Sequence, residues 1–118
     1  FFEPTVLDCV TQKSDIIQEE TFGPILPVVE YSHINDAIAW AHDCEYGLTS
    51  SVYTQKFDNA FKVMSPLKVG ETYINRENFE AMQGFHAGWR KPGIGGADGK
   101  HGLEEYLQSQ VVYLETKE

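Results

Sequence analysis

The feature that most constrains this chain is its alternation of apolar, β-branched runs with helix-type segments, each change punctuated by proline, glycine or a capping residue. Residues 5–10 follow Pro4 with strand character, and residues 14–18 read as a short helix that Ser14 or Asp15 can cap, with Asp15 and Gln18 able to form a capping box. Gly23-Pro24 stops that helix, and residues 25–30 form the next strand-type run. Ser32 or Asn35 can cap a helix through residues 36–42, in which Ala37, Ile38, Ala41 and Cys44 or Glu45 share a face and Gly47 ends the turn. A strand at 48–54, a helix at 58–64 closed by Pro66, and a strand at 70–75 follow. A glycine-punctuated loop occupies residues 76–100, before a helix at 102–108 and a final strand at 111–114. Strands alternating with helices predict an α/β sheet with right-handed crossovers.

Composition sets the outer limits. At 118 residues the chain is one domain at most, with length for a modest core. Hydrophobic residues at 42% and aromatics at 13% exclude a disordered chain. Nine basic against eighteen acidic residues leave a net charge of −9, which argues against nucleic acid or an anionic membrane as partner, since both demand a basic footprint. No apolar run approaches the ~20 residues of a membrane-spanning helix, and the first residues do not read as a signal peptide. Cys9 and Cys44 lack metal-site spacing, as do His33, His42 and His101. One bridge between the two cysteines is conceivable; two free thiols in a reducing cytoplasm, packed as small hydrophobes, is the preferred reading.

One stretch works against its local element. Glu19 and Glu20 fall at the end of the first short helix, where the helix dipole favours cations over carboxylates. Such conflicts mark candidate functional positions, although two solvated glutamates would look the same. Residues 19–24, Glu-Glu-Thr-Phe-Gly-Pro followed by an apolar strand, resemble a motif of the aldehyde dehydrogenase superfamily. Four further features agree in order: Glu45-Tyr46-Gly47-Leu48 before a strand, Gly70 before a strand ending Ile74-Asn75, Gly93-Ile94-Gly95, and Gly99 with Gly102-Leu103 and Tyr106 before a last apolar strand. The resemblance spans essentially the whole chain.

It implies an α/β fold: the C-terminal part of an aldehyde dehydrogenase catalytic domain in residues 1–109, with an oligomerisation strand and tail in 110–118. Members oxidise aldehydes to carboxylic acids with NAD or NADP, and NAD is the cofactor expected here. Their Rossmann domain, nucleophilic cysteine and water-activating glutamate lie upstream of this region, so no catalytic residue is assigned in this chain. Neither Cys9 nor Cys44 inherits the nucleophile's role. By the same resemblance Glu20 takes the hydroxyls of the nicotinamide ribose, a task suited to an acceptor-only carboxylate, and Phe22 packs beside the nicotinamide. The last strand joins a sheet across a subunit interface, giving a homo-oligomer. A self-standing, non-catalytic α/β module for dimerisation or binding is the competing expectation.

Two glycine-rich runs fail as nucleotide motifs. From Gly93, the position completing Gly-x-Gly-x-x-Gly is Asp98, and a P-loop ending at Gly99-Lys100 would need glycine at Ile94 and a hydroxyl residue at His101. Their glycines instead suit positive φ and close backbone packing. The segment 75–90 is more specific. Where family members place a largely apolar pocket mouth ending Pro-Phe-Gly-Gly-x-Lys-x-Ser-Gly, this chain has His86 for Phe, Ala87 for Gly, Arg90 for Lys and Pro92 for Ser. A polar mouth favours a small hydroxylated aldehyde, because a site built to hydrogen-bond a hydroxyl discriminates against analogues lacking it. The loop resembles the lactaldehyde and glycolaldehyde dehydrogenase branch, in which residues matching Glu80 and His86 contact the substrate's hydroxyl end; semialdehyde and betaine aldehyde branches are the alternatives. Taken without the resemblance, Glu80 is a solvated carboxylate and His86 an exposed loop histidine. Trp40 and Trp89 are read as packing residues, and no metal is expected.

Overall fold

In the computed structural model, which describes residues 1–117, strand β1 (Thr5–Leu7) passes through helix α1 (Asp15–Gln18) to β2 (Ile25–Pro27). Helix α2 (Ile34–His42) leads to β3 (Thr49–Val52), then α3 (Phe57–Met64), β4 (Glu71–Ile74) and α4 (Gly99–Glu104). The alternation gives the expected α/β order, with both strand pairs parallel. Instead of one sheet there are two ribbons: β1 pairs with β2, Val6 opposite Leu26, and β3 with β4, Ser51 opposite Tyr73. Parallel ribbons are ordinarily covered on both faces. Here Val6 and Leu26 stay exposed.

The expected modest core is not formed. Ala60 and Val63, one turn apart on α3, are the only buried apolar residues among those described. A compact 13.4 kDa monomer exposes roughly 6,500 Å²; this chain exposes 10029 Å². Its radius of gyration is 19.7 Å, against about 13.5 Å for a compact domain of this length. The excess, about 3,500 Å², is the size of a large obligate interface. The helices and strands are in place, but their apolar faces lack opposing layers.

Local corrections follow from hydrogen bonding. Gln18 does not complete a capping box; its amide donates to the Gln12 carbonyl at 2.7 Å. Helix α1 ends at Gln18, and Glu19 is already extended (φ −113°, ψ 143°), so the glutamates escape most of the expected dipole conflict. His33 and Lys56 occupy the N-cap positions of α2 and α3 without a side-chain cap, in place of Ser32 or Asn35 and of an Asp58 start. Helix α2 stops at His42, five residues before Gly47. The last helix begins and ends earlier than predicted, because Gly99 (φ 59°) turns the chain directly into it. Residues 111–114 pair with nothing among the described residues and form no strand: Val111, Val112, Tyr113 and Leu114 are all exposed. Cys9 and Cys44 are free thiols, and Cys9 is exposed with φ 57° rather than packed in a strand. Trp89 is also half exposed, contrary to a packing role within this chain.

The long loop is nevertheless well anchored. The buried Gly47 carbonyl accepts from both Gly70 N–H (3.0 Å) and Trp89 N–H (2.9 Å), joining the entry to β4 and the loop at one atom. Arg90 donates to the carbonyls of His42, Tyr46 and Lys68, strapping the end of α2 to the approach to β4. Asn75 (φ 56°) exchanges two bonds with the Thr54 backbone, and Asn78 reaches Thr49 and Ser51 on β3.

Candidate active site

The four sequence-derived site residues fall in two places. Glu20 lies just beyond α1 and lines an open concavity of about 550 Å³ with Glu19, Cys44, Thr49, Ser50 and Lys91. Its carboxylate makes no hydrogen bond or ion pair among the described residues, leaving both oxygens free to accept O–H donors. Phe22, turned by Gly23-Pro24, is 95% exposed and is not part of that lining. Among the described residues no other element covers the Phe22 ring.

Glu80 and His86 belong to the loop after β4. Glu80 is exposed and unpaired among the described residues. His86 is half-buried and fixed at three points. Its backbone N–H donates to the Ala97 carbonyl and its carbonyl accepts from Ala97 N–H, each at 2.9 Å. Its Nδ1 lies 2.9 Å from Glu71 Oε2. Glu71 is itself largely covered, with 13% of its side chain exposed, and the same oxygen accepts from the Tyr73 hydroxyl at 2.8 Å. Period-two geometry puts Glu71 and Tyr73 on one face of β4.

The electrostatics follow from this chain of contacts. The Glu71 hydrogen bond raises the His86 pKa above its ordinary value against the opposing effect of partial burial; the charges of Glu71, Glu80 and Asp98 add to the rise. Partial desolvation, then the Glu71 hydrogen bond and charge, raise the Tyr73 hydroxyl as well, so it remains a donor. An ionised Glu71 has only acceptors, so Nδ1 must carry the proton it shares. Nε2 is left without a hydrogen-bond partner among the described residues. Glu71 and Tyr73 escaped sequence reasoning because a Glu-x-Tyr strand pattern says nothing of a histidine fifteen residues away.

Parallel strand pairs joined by helices make this an α/β segment, with an unpaired carboxylate after α1 and an imidazole backed by a strand carboxylate as its candidate site. The model described as "Aldehyde dehydrogenase family" matches residues 1–112, and the chain belongs to that family. It is 66% identical over 116 residues to lactaldehyde dehydrogenase of Escherichia coli (strain K12), covering 98% of this chain and 24% of that protein. A crystal structure of the Escherichia coli lactaldehyde dehydrogenase superposes with a TM-score of 0.95 at 65% identity, again over 98% and 24% of the two chains. A 3,6-anhydro-alpha-L-galactose dehydrogenase of Streptomyces coelicolor is 41% identical over 97% of this chain and 23% of its own length. Betaine aldehyde dehydrogenase from Staphylococcus aureus, solved in complex with NAD+, matches at TM-score 0.89 and 39% identity over 93% and 22%. The chain thus spans about a quarter of the length of the relatives it matches. No helix among the described residues is long and apolar enough to cross a membrane.

Proposed function

We propose that this chain is the C-terminal part of an aldehyde dehydrogenase that oxidises a small hydroxyaldehyde, such as lactaldehyde or glycolaldehyde, to its carboxylic acid with NAD. The observation that carries the substrate class is the anchored His86, which offers a polar ring atom where the family pattern has phenylalanine. An exposed Glu80 on the same loop, whose charge acts on His86, would supply an acceptor for a hydroxyl proton, and each matched polar contact of this kind discriminates against plain alkyl aldehydes. The 66% identity to a lactaldehyde dehydrogenase supports the same class. Glu20 would hold the nicotinamide ribose and Phe22 would flank the ring; bound NAD supplies the hydride acceptor. The nucleophilic cysteine and the base for thioester hydrolysis would come from the rest of the enzyme.

The uncovered surface of about 3,500 Å² supports a segment that completes its core against that remainder over a self-standing binding module. Residues 110–118 would form the tail of a homo-oligomer, with the exposed run Val111–Leu114 pairing with a strand of another subunit. A cytoplasmic setting suits NAD chemistry and the two free thiols.

The test compares steady-state oxidation of lactaldehyde, glycolaldehyde and propanal by the full-length enzyme, with NAD and with NADP. The expected result is a hydroxyaldehyde preference with NAD that His86→Phe erodes at least tenfold. Equal kcat/KM for lactaldehyde and propanal would overturn the substrate assignment. The isolated 118-residue chain should form no NADH from glycolaldehyde.

A further inference from the structure

We propose that Glu71, held by Tyr73, is a positioning residue for substrate selection: it locks the His86 ring by taking the Nδ1 proton, so that Nε2 alone faces the substrate hydroxyl. The proposal rests on the assignment of His86 to the hydroxyl end of the substrate. Its own support is geometric. One oxygen, Glu71 Oε2, receives both the His86 Nδ1 contact at 2.9 Å and the Tyr73 hydroxyl at 2.8 Å. The backbone exchange between His86 and Ala97 fixes the base of the side chain, so the Glu71 bond removes the remaining freedom of ring rotation. A carboxylate, imidazole and phenol in series would be a superfluous construction for an exposed loop histidine. It is an economical way to orient one whose far nitrogen has work to do.

The arrangement has a chemical consequence. With Nδ1–H committed to Glu71, the neutral ring has a bare acceptor at Nε2, and only the imidazolium has a donor there. Glu80 already offers an acceptor-only carboxylate to the hydroxyl proton. The complementary partner for the hydroxyl oxygen is therefore the protonated ring. The groups that bear on that proton are Glu71 and Tyr73 from β4, Glu80 from the loop and Asp98 ahead of α4. Three carboxylates favour the imidazolium. Preference for a hydroxyaldehyde should then weaken as pH rises through the His86 titration, while oxidation of an unsubstituted aldehyde should not follow that titration.

The experiment uses the full-length enzyme and reads the ratio of kcat/KM for lactaldehyde to that for propanal between pH 5.5 and 9.5. It is run on wild type, Glu71→Gln, Tyr73→Phe and His86→Phe. Glu71→Gln should move the midpoint of the ratio down by roughly one pH unit, the smaller end of the effect of a charge partner at this range. At neutral pH it should lower the ratio about tenfold, chiefly through KM for lactaldehyde. Tyr73→Phe should do the same in smaller measure, because it leaves the carboxylate in place but less firmly held. If Glu71→Gln does not fold, Tyr73→Phe decides by the same readout. A midpoint that stays put in the folded variants, while His86→Phe still erodes the preference, refutes the positioning role alone. A ratio unaffected by His86→Phe refutes the underlying substrate assignment and this proposal together.

Discussion

Gly70→Ala probes how the pocket mouth is held to β4. A Cβ on Gly70 would stand 1.5 Å from the Ala87 carbonyl oxygen, 2.7 Å from its carbon and 3.0 Å from the Leu48 oxygen. Real Cβ atoms essentially never come nearer than 3.0 Å, so the Ala87 carbonyl must retreat by about 1.5 Å, and it is backbone rather than a flexible tip. That retreat pulls on the shared Gly47 carbonyl, which bonds Gly70 N–H at 3.0 Å and Trp89 N–H at 2.9 Å; one of these must lengthen beyond use. Overpacking costs about 1–3 kcal/mol and a lost backbone bond about 1 kcal/mol, giving an expected destabilisation of about 2–4 kcal/mol. Because Ala87 directly follows His86, the shift also displaces the ring proposed to select the substrate. Misplacement on the order of 1 Å is worth on the order of 10²-fold in rate, so preference for lactaldehyde over propanal should fall tens-fold. Urea unfolding and paired kinetics on the full-length enzyme give both numbers. An unchanged unfolding midpoint together with an unchanged preference would show that the close approach at Gly70 is not holding the loop.

Arg90→Ala strips donors from the carbonyls of His42, Tyr46 and Lys68 and should cost about 2–3 kcal/mol in unfolding free energy. Arg90→Lys should recover little, because an ammonium cannot span three carbonyls as the guanidinium fork does; full recovery would count against the strap. The His86–Glu71 contact also gives a pH signature. The pKa of His86 is raised in the folded chain, so its stabilising contribution is complete below the ordinary histidine value of about 6.5 and is lost as pH rises through the raised value. Unfolding midpoints followed by circular dichroism should therefore decline over that window in wild type and flatten in His86→Phe. A wild-type profile parallel to that of His86→Phe would refute the linkage.

Much of the fold was legible because it is written in short-range terms. Gly23-Pro24, Pro66 and Gly70 mark the boundaries of elements whose order and parallel pairing the structure bears out. The misplacements occur where a local rule competes with a longer reach. Gln18 prefers the Gln12 carbonyl to a capping box, and His33 takes a cap position that Ser32 or Asn35 would fill on propensity. The strand expected at 111–114 could not form from its own residues, since a strand is defined by its neighbour. The site divides in the same way. The family resemblance, rather than residue type, singled out Glu20, Phe22, Glu80 and His86, and the contact of His86 with Glu71 depends on the loop folding back along β4. No spacing rule encodes that return.

The mutual hydrogen bonds between His86 and Ala97 close the intervening loop upon itself. Every partner that fixes the His86 ring therefore lies between residues 71 and 97, a single uninterrupted stretch. On the proposed role of His86, selectivity so encoded would be portable. Grafted as one block into a family member with an alkyl-lined mouth, this stretch would bring its imidazole, its orienting carboxylate and the phenol behind it together. Transfer of His86 alone would arrive without the means to aim it. On that reading the unit of exchange between substrate preferences would be a cassette of 27 residues rather than a single side chain.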